Sequence, residues 1–279
     1  MIKFEQVTII GLGLIGGSIA LHLKEKKLAQ KIIGVEKNKN YCQQALKLHL
    51  IDEIKPVKNA LKGSELIILA TPVTHIKKNL PIILSLINST QFVMDVGSTK
   101  LSILDSIKNH PNKAQFIPSH PMWGTEYSGP NSATLQSFKG KKTVICKEKY
   151  TSKIGLQKVQ DLYHALEMDV IFMSAKHHDE SVAYISHISH ISSFALAKTT
   201  LIKEKKMSTI LNLASSGFES TVRLAKSNPD TWSPIFIENK NFVQKVLKEY
   251  IHQLKIFEKS LRQNNEKKIK NFMIEANII

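Results

Sequence analysis

The sequence predicts two parts in series: a doubly wound α/β domain on a mostly parallel sheet, then an all-α domain. Three observations carry this. Short apolar runs alternate with helical patterns over the first 174 residues. A glycine-rich turn, Gly11-Leu-Gly-Leu-Ile-Gly16, follows the first of those runs. Past Ser174 the period changes, and apolar residues recur at three- and four-residue steps almost to the end. Strand–helix alternation is the signature of parallel βαβ units, whereas an unbroken helical period is that of a bundle.

Taken in order, Val7–Ile10 is a short apolar strand, and a helix pattern runs from the glycine turn to about Lys26. Lys31–Glu36 reads as the second strand and Tyr41–Leu48 as a helix. Glu65–Ala70 is an apolar strand stopped at Thr71-Pro72, and Ile76–Leu86 is helical. Gln91–Val96 is a strand, after which Gly97-Ser98-Thr99-Lys100 turns into a helix with Ser98 in a position to cap it. Ala114–Ile117 leads to Ser119-His120-Pro121, and Thr143–Cys146, a helix near Ile154–Glu167 and Val170–Met173 complete the first part. The domains are therefore expected at 1–174 and 175–279.

In the second part the first helix is expected from Asp179, with a lysine-rich loop at Lys203–Lys206 separating it from a helix at Met207–Ser215. Further helices are expected at Pro229–Asn239 and Phe242–Asn264, with a last one to the end. The first helix has a broader apolar surface than one packing layer needs. Either a homodimer or the centre of a monomeric bundle accounts for it.

Composition narrows the classes. Apolar residues are 42% and charged residues 22%, as in a globular protein. The net charge of +16 is almost entirely lysine, spread over both parts, with Arg223 and Arg262 the only arginines. That distribution is a solvated surface, with some attraction for an anionic substrate and cofactor, and not a nucleic-acid footprint. Two cysteines, Cys42 and Cys146, make neither a disulfide framework nor a zinc cluster. With no membrane-length apolar run and no signal-peptide pattern, a cytoplasmic protein is expected.

The glycine turn is the dinucleotide fingerprint of a Rossmann domain, because it follows a strand and opens a helix. Gly11 makes the tight turn, Gly13 lets backbone approach a pyrophosphate, and Gly16 allows close helix–strand packing. The amides of Leu14, Ile15 and Gly16 open that helix, where donors and a partial positive charge suit a phosphate. Glu36, at the end of the second strand, is placed to bond the adenine ribose, which favours NAD, with NADP as the alternative. Thr71, Pro72 and Ser98 end further strands of the same sheet and so face the same crevice.

His120 stands past another strand end, held extended by Pro121. Imidazole exchanges a proton near neutral pH, so His120 is a candidate base as well as a candidate loop-capping group. Ser186-His187-x-x-His190 places two histidines on one helix face, but no third ligand at useful spacing makes this a metal site. One of the pair is expected to contact an anion and the other to pack or be exposed. Arg223, closing Ser215–Arg223, suits capture of a carboxylate or an ordinary ion pair with Glu219.

Five segments in this order, GLGLIGGS, DVGSTK, SHPMWGTE, HDESVAYISHISH and ASSGFESTVR, resemble the prephenate/arogenate dehydrogenases of tyrosine biosynthesis over essentially the whole chain. The ASSGF form and compact length look most like the cyanobacterial arogenate-type branch. The resemblance implies a Rossmann domain followed by a helical dimerisation domain, and oxidative decarboxylation of a dianionic or zwitterionic cyclohexadienol. It implies that His120 takes the ring hydroxyl proton and that Ser98 bonds the same hydroxyl. Arg223 and His190, with Ser186 nearby, match positions that hold substrate carboxylates, and Thr125 and Glu126 match the pocket mouth. Trp123 stands where relatives often carry a small residue, so a bulkier pocket wall is expected. Two rivals are a β-hydroxyacid dehydrogenase, which would place a catalytic lysine on the second domain, and a non-catalytic dinucleotide-binding module.

Overall fold

A computed structural model describes residues 2–125 and 127–278. The first part runs β1 (Phe4–Ile10), α1 (Leu14–Glu25), β2 (Ala29–Val35), α2 (Lys39–Lys47), β3 (Glu53–Ile54), α3 (Val57–Ala60), β4 (Leu66–Leu69), α4 (Val73–Leu86), β5 (Phe92–Asp95), α5 (Leu101–Ser106), β6 (Phe116–Ile117), β7 (Ser119–Pro121), β8 (Lys142–Cys146), α6 (Lys153–Ala165) and β9 (Asp169–Met173). β1 to β6 form one sheet in the order β3-β2-β1-β4-β5-β6, every pairing parallel. The order reverses between β1 and β4, which is the switch point where doubly wound sheets bind ligands.

Two-residue alternation divides each strand between two cores. Leu66 and Ile68 pack with Phe92, Met94 and Ile117 on one face, while Ile67 and Leu69 pack with Val93 and Phe116 on the other. Helices cover both faces, so central β4 is apolar throughout and all of it is buried. Each such side chain contributes about 1.5–3 kcal/mol by leaving water.

His120 does not continue this sheet. β7, β8 and β9 form a separate three-stranded sheet, with His120 paired antiparallel to Val144. Pro118 separates β6 from β7, and the chain changes sheets there, so His120 lies within a strand and not in a loop beyond one. The expected cap is also replaced. α5 begins at Leu101, three residues past Ser98, and its first amides are bonded by a carboxylate from the next part of the chain.

The second part holds α7 (Ala175–Val182), one π-helical turn (Ala183–His187), α8 (Ile188–Met207), α9 (Ser216–Val222), α10 (Pro229–Glu238), α11 (Lys240–Arg262) and α12 (Glu266–Ala276). The lysine-rich loop expected at Lys203–Lys206 is instead the last turn of α8. Lysine and glutamate are good helix formers, and their charged tails extend into water. The helix ends at Ser208, whose φ of +47° is left-handed. The helix expected over Met207–Ser215 reduces to a single 3₁₀ turn at Leu211–Leu213.

Candidate active site

The glycine loop leaves β1 through Gly11, where φ is +98° and an added Cβ would lie 2.6 Å from the Ala70 carbonyl oxygen. A Cβ on Gly16 would lie 2.1 Å from the Gly11 carbonyl oxygen. Gly13 differs: nothing lies within 4 Å of a Cβ built there, and the start of α1 has no side-chain cap. The loop thus packs closely where it meets β4 and α1 and stays open at the helix N-terminus. That is the cradle a pyrophosphate needs. Glu36 sits beside it, its carboxylate accepting from the Leu12 amide at 3.1 Å and the Asn38 amide at 2.9 Å. Thr71 abuts Gly11, and Pro72 starts α4 on the same rim. These residues fit a dinucleotide.

Next along this rim is the end of β5. Asp95 and Lys100 form a fully buried ion pair. Asp95 also accepts from the Gly97 and Ser119 amides, each at 3.0 Å, while Lys100 Nζ donates to the Ser119 carbonyl at 2.7 Å. Ser119 Oγ closes the lattice by donating to the Asp95 carbonyl at 2.6 Å. Between Asp95 and Lys100 the chain presents half-buried Ser98, and next to Ser119 it presents His120. One buried ion pair therefore holds both candidate catalytic residues to a common frame.

His120 has a partner that the sequence reading had given no role. Its Nδ1 lies 2.9 Å from His178 Nε2, and His178 Nδ1 lies 2.7 Å from Asp179 Oδ1. Asp179 is the carboxylate that caps α5, accepting from the Lys100 amide at 2.8 Å and the Leu101 amide at 2.9 Å. Burial holds the His120 pKa well below the ordinary histidine value, and neighbouring His178, Lys100 and His187 add to the effect. His120 is a neutral imidazole at pH 7.

His190 is buried on α8, its ring stacked on Trp232 with centroids 3.3 Å apart. Its Nδ1 lies 3.0 Å from the Ser186 carbonyl oxygen. Burial lowers its pKa, the Ser186 carbonyl opposes that, and nearby Arg223 reinforces it. Arg223 opens a 3₁₀ turn after α9. Ser193, three residues past His190, fastens that segment to α8: its hydroxyl donates to the Thr221 carbonyl and accepts from the Ala225 amide, both at 3.0 Å. Among the described residues no ion pair joins Arg223 to Glu219, and Arg223 is exposed. His187 is the packing member of the pair, its Nδ1 accepting from Asn239 at 3.1 Å and burial holding its pKa down to about 4.

Thr125 lies in an exposed loop after β7, its Oγ1 accepting from the Tyr127 amide at 3.3 Å, and Glu126 lies outside the described residues. Trp123 packs edge-on against Phe138 at 5.6 Å and joins the Rossmann core. The ring stays half-buried, with part of its surface still accessible. Among the described residues no three His, Cys, Asp or Glu side chains are grouped to hold a metal ion.

Sequence alone assigns no role to His178, Asp179, the Asp95–Lys100 pair or Trp232. The first two were visible as an adjacent His-Asp pair at a helix start, and the ion pair as two charges flanking a glycine strand end. Only folding puts either beside His120.

An open parallel sheet with a glycine cradle, a neutral histidine near its rim and an arginine on a helical part define a two-part dinucleotide-dependent oxidoreductase. The family models agree. The prephenate dehydrogenase nucleotide-binding domain matches residues 19–172, and the prephenate dehydrogenase dimerization domain matches residues 174–275. The chain belongs to the prephenate dehydrogenase family. It is 30% identical to prephenate dehydrogenase of Bacillus subtilis, covering 90% of this chain and 68% of that protein. The structure of prephenate dehydrogenase from A. aeolicus in complex with hydroxyphenyl propionate and NAD+ aligns with a TM-score of 0.90 at 26% identity, covering 99% and 97% of the two chains. Synechocystis arogenate dehydrogenase aligns with a TM-score of 0.78 at 26% identity, covering 98% and 97%.

Proposed function

We infer that the chain is an NAD(P)-dependent dehydrogenase of tyrosine biosynthesis that oxidatively decarboxylates prephenate or arogenate. The observation that carries the reading of the site is the placement of neutral His120 and Ser98 on one buried frame, on the rim that also bears the glycine cradle. When bound, the nicotinamide accepts the hydride from the ring carbon bearing the hydroxyl. His120 removes the hydroxyl proton, which raises the electron density that expels the hydride. Such a base is worth about 10²–10⁴-fold in rate. The ring carboxylate leaves as CO₂, and its bonding pair completes the aromatic ring. His120 returns its proton to the resulting phenolic oxygen, so the residue is restored and the reaction balances without another acid.

Ser98 bonds the same hydroxyl and orients it toward His120. Arg223 supplies fixed charge to a substrate carboxylate. With His190 Nδ1 donating to the Ser186 carbonyl, Nε2 is the free position, and an arriving carboxylate favours protonating it. Ser186 lines the same turn, and Thr125 lies at the mouth. Leu14, Ile15 and Gly16 amides receive the pyrophosphate, and Thr71 and Pro72 border it. Glu36 receives the ribose and favours NAD over NADP.

The division between the parts is placed at residue 174, and the second part joins two copies into a homodimer. The cysteines are free and no helix among the described residues is long and apolar enough to cross a membrane, which supports a cytoplasmic enzyme. A kinetic matrix of prephenate and arogenate against NAD and NADP, followed at the NADH absorbance, tests this reading. Turnover of at least one pair, with CO₂ released, is expected. No turnover of any pair would reject it.

A further inference from the structure

We propose that His178 and Asp179 are positioning residues that fix His120 in the tautomer whose Nε2 lone pair acts as the base. The proposal rests on the reading of His120 as that base and deepens it. Asp179 receives three donors: His178 Nδ1 at 2.7 Å, the Lys100 amide at 2.8 Å and the Leu101 amide at 2.9 Å. An ionised carboxylate only accepts, so the proton in the first of these bonds belongs to His178 Nδ1. A neutral His178 then has only a lone pair at Nε2. The contact at 2.9 Å to His120 needs one proton, and His120 Nδ1 must supply it. That leaves His120 Nε2 without a proton. A histidine tautomer is set by the bond its other nitrogen makes, and here two such bonds run in series from one carboxylate.

The order of charges is also suited to the step. When Nε2 takes the hydroxyl proton, the imidazolium keeps donating Nδ1–H to His178, with the Asp179 carboxylate behind it. Lys100, just before α5, and His187 from the π-helical turn also face this cluster, and the Lys100 charge is matched by Asp95 from β5. Asp179 is thus the negative member of the relay, and among the described residues no lysine or arginine side chain pairs with it. It is anchored from the far side as well, since Asn239 donates to the Asp179 carbonyl at 2.8 Å. His178 and Asp179 are buried, and His120 is the half-buried end of the relay.

The test has one arm independent of turnover. Nitrogen-15 spectra of the wild-type protein labelled at histidine, assigned with His120→Asn and His178→Gln, report which ring nitrogens carry protons. Expected are His120 and His178 both protonated at Nδ1 at pH 7. A His120 protonated at Nε2 would overturn the relay whether or not the enzyme turns over a given substrate. The kinetic arm uses the substrate and cofactor pair that wild type oxidises. His178→Leu removes the acceptor and should lower kcat about 10²–10⁴-fold with KM nearly constant. His178→Gln, whose amide can accept from His120 and donate to Asp179, should recover activity to within about tenfold of wild type. Near-normal kcat in His178→Leu, or a glutamine variant no better than leucine, would also overturn it. Asp179→Asn is avoided because it would also uncap α5.

Discussion

At neutral pH the side chain proposed to abstract the proton carries none, because burial, His178, Lys100 and His187 all oppose the charged ring of His120. The active form is the unprotonated one, so a lowered pKa extends activity to the acid side. We expect kcat/KM to show no His120 inflection as pH falls through 6.5, the ordinary histidine value, and to lose activity through this group only as pH falls through its lower value. A kcat/KM profile halved near pH 6.5 and shifted by His120→Asn would contradict this. His120→Asn keeps a hydrogen bond but cannot take the proton, and kcat should fall about 10²–10⁴-fold with NADH affinity unchanged by fluorescence titration. Glu36 makes a second residue-scale prediction. Its carboxylate is held to the glycine loop through the Leu12 amide, beside the position proposed for the adenine ribose. A 2′-phosphate there meets like charge, and Lys37 and Lys39 are exposed, flexible counterions. NAD should be preferred by about tenfold in kcat/KM, equivalent to about 1.4 kcal/mol. Glu36→Ser should shift the ratio toward NADP, and a wild-type preference for NADP would place Glu36 away from the ribose.

At the scale of elements, the segment from β5 to α5 is held by charge more than by packing. Asp95 and Lys100 are both fully buried, and burial pushes the Asp95 carboxyl pKa up against the pull of Lys100 and the Ser119 and Gly97 amides. Removing the cation leaves that carboxylate buried beside nothing of opposite charge. Lys100→Met should therefore destabilise the fold by about 3–5 kcal/mol in urea melts, far more than an exposed lysine would. Such a pair is poorly legible in sequence. DVGSTK reads as a strand end and a capped helix, which is correct for the strand and wrong for the cap. The true cap, Asp179, lies 78 residues on from Leu101. The glycine loop was legible because its function is local: a tight turn, an open helix start and a following carboxylate occupy one continuous stretch. His120 was legible because Pro121 fixes its backbone. Its partners were not, since His178 is 58 residues away and only the packing of α7 against α5 and β8 brings it close. Lys203–Lys206 failed for another reason: a run of charges suits an exposed helix as well as a loop, and no glycine or proline separates the two.

At the scale of the molecule, the helical part is left with much apolar surface. Of the 20 residues of α8 only His190 and Ser193 are buried. Leu201 and Ile202 on α8, Leu254 and Leu261 on α11, and Met273 and Ile274 on α12 are each more than half exposed. This breadth was read from sequence as fitting either a dimer or the centre of a monomeric bundle. The single chain supplies no such centre for α8, so a second copy is the partner that the surface fits. The prediction is a two-fold dimer at micromolar concentration, sedimenting at about twice the 31.4 kDa of one chain. Leu254→Lys places a charge on that surface and should shift the equilibrium toward monomer, because an ammonium buried in an apolar interface without a partner is strongly disfavoured. α8 also carries His190, and Ser193 fastens the Arg223 segment to it. A monomeric Leu254→Lys variant should therefore keep its affinity for NADH, bound by the first part, while its KM for the cyclohexadienol rises. A wild-type species near 31.4 kDa at all concentrations tested would contradict the dimer. A monomeric variant with unchanged KM would show instead that the helices hold Arg223 without help from a second copy.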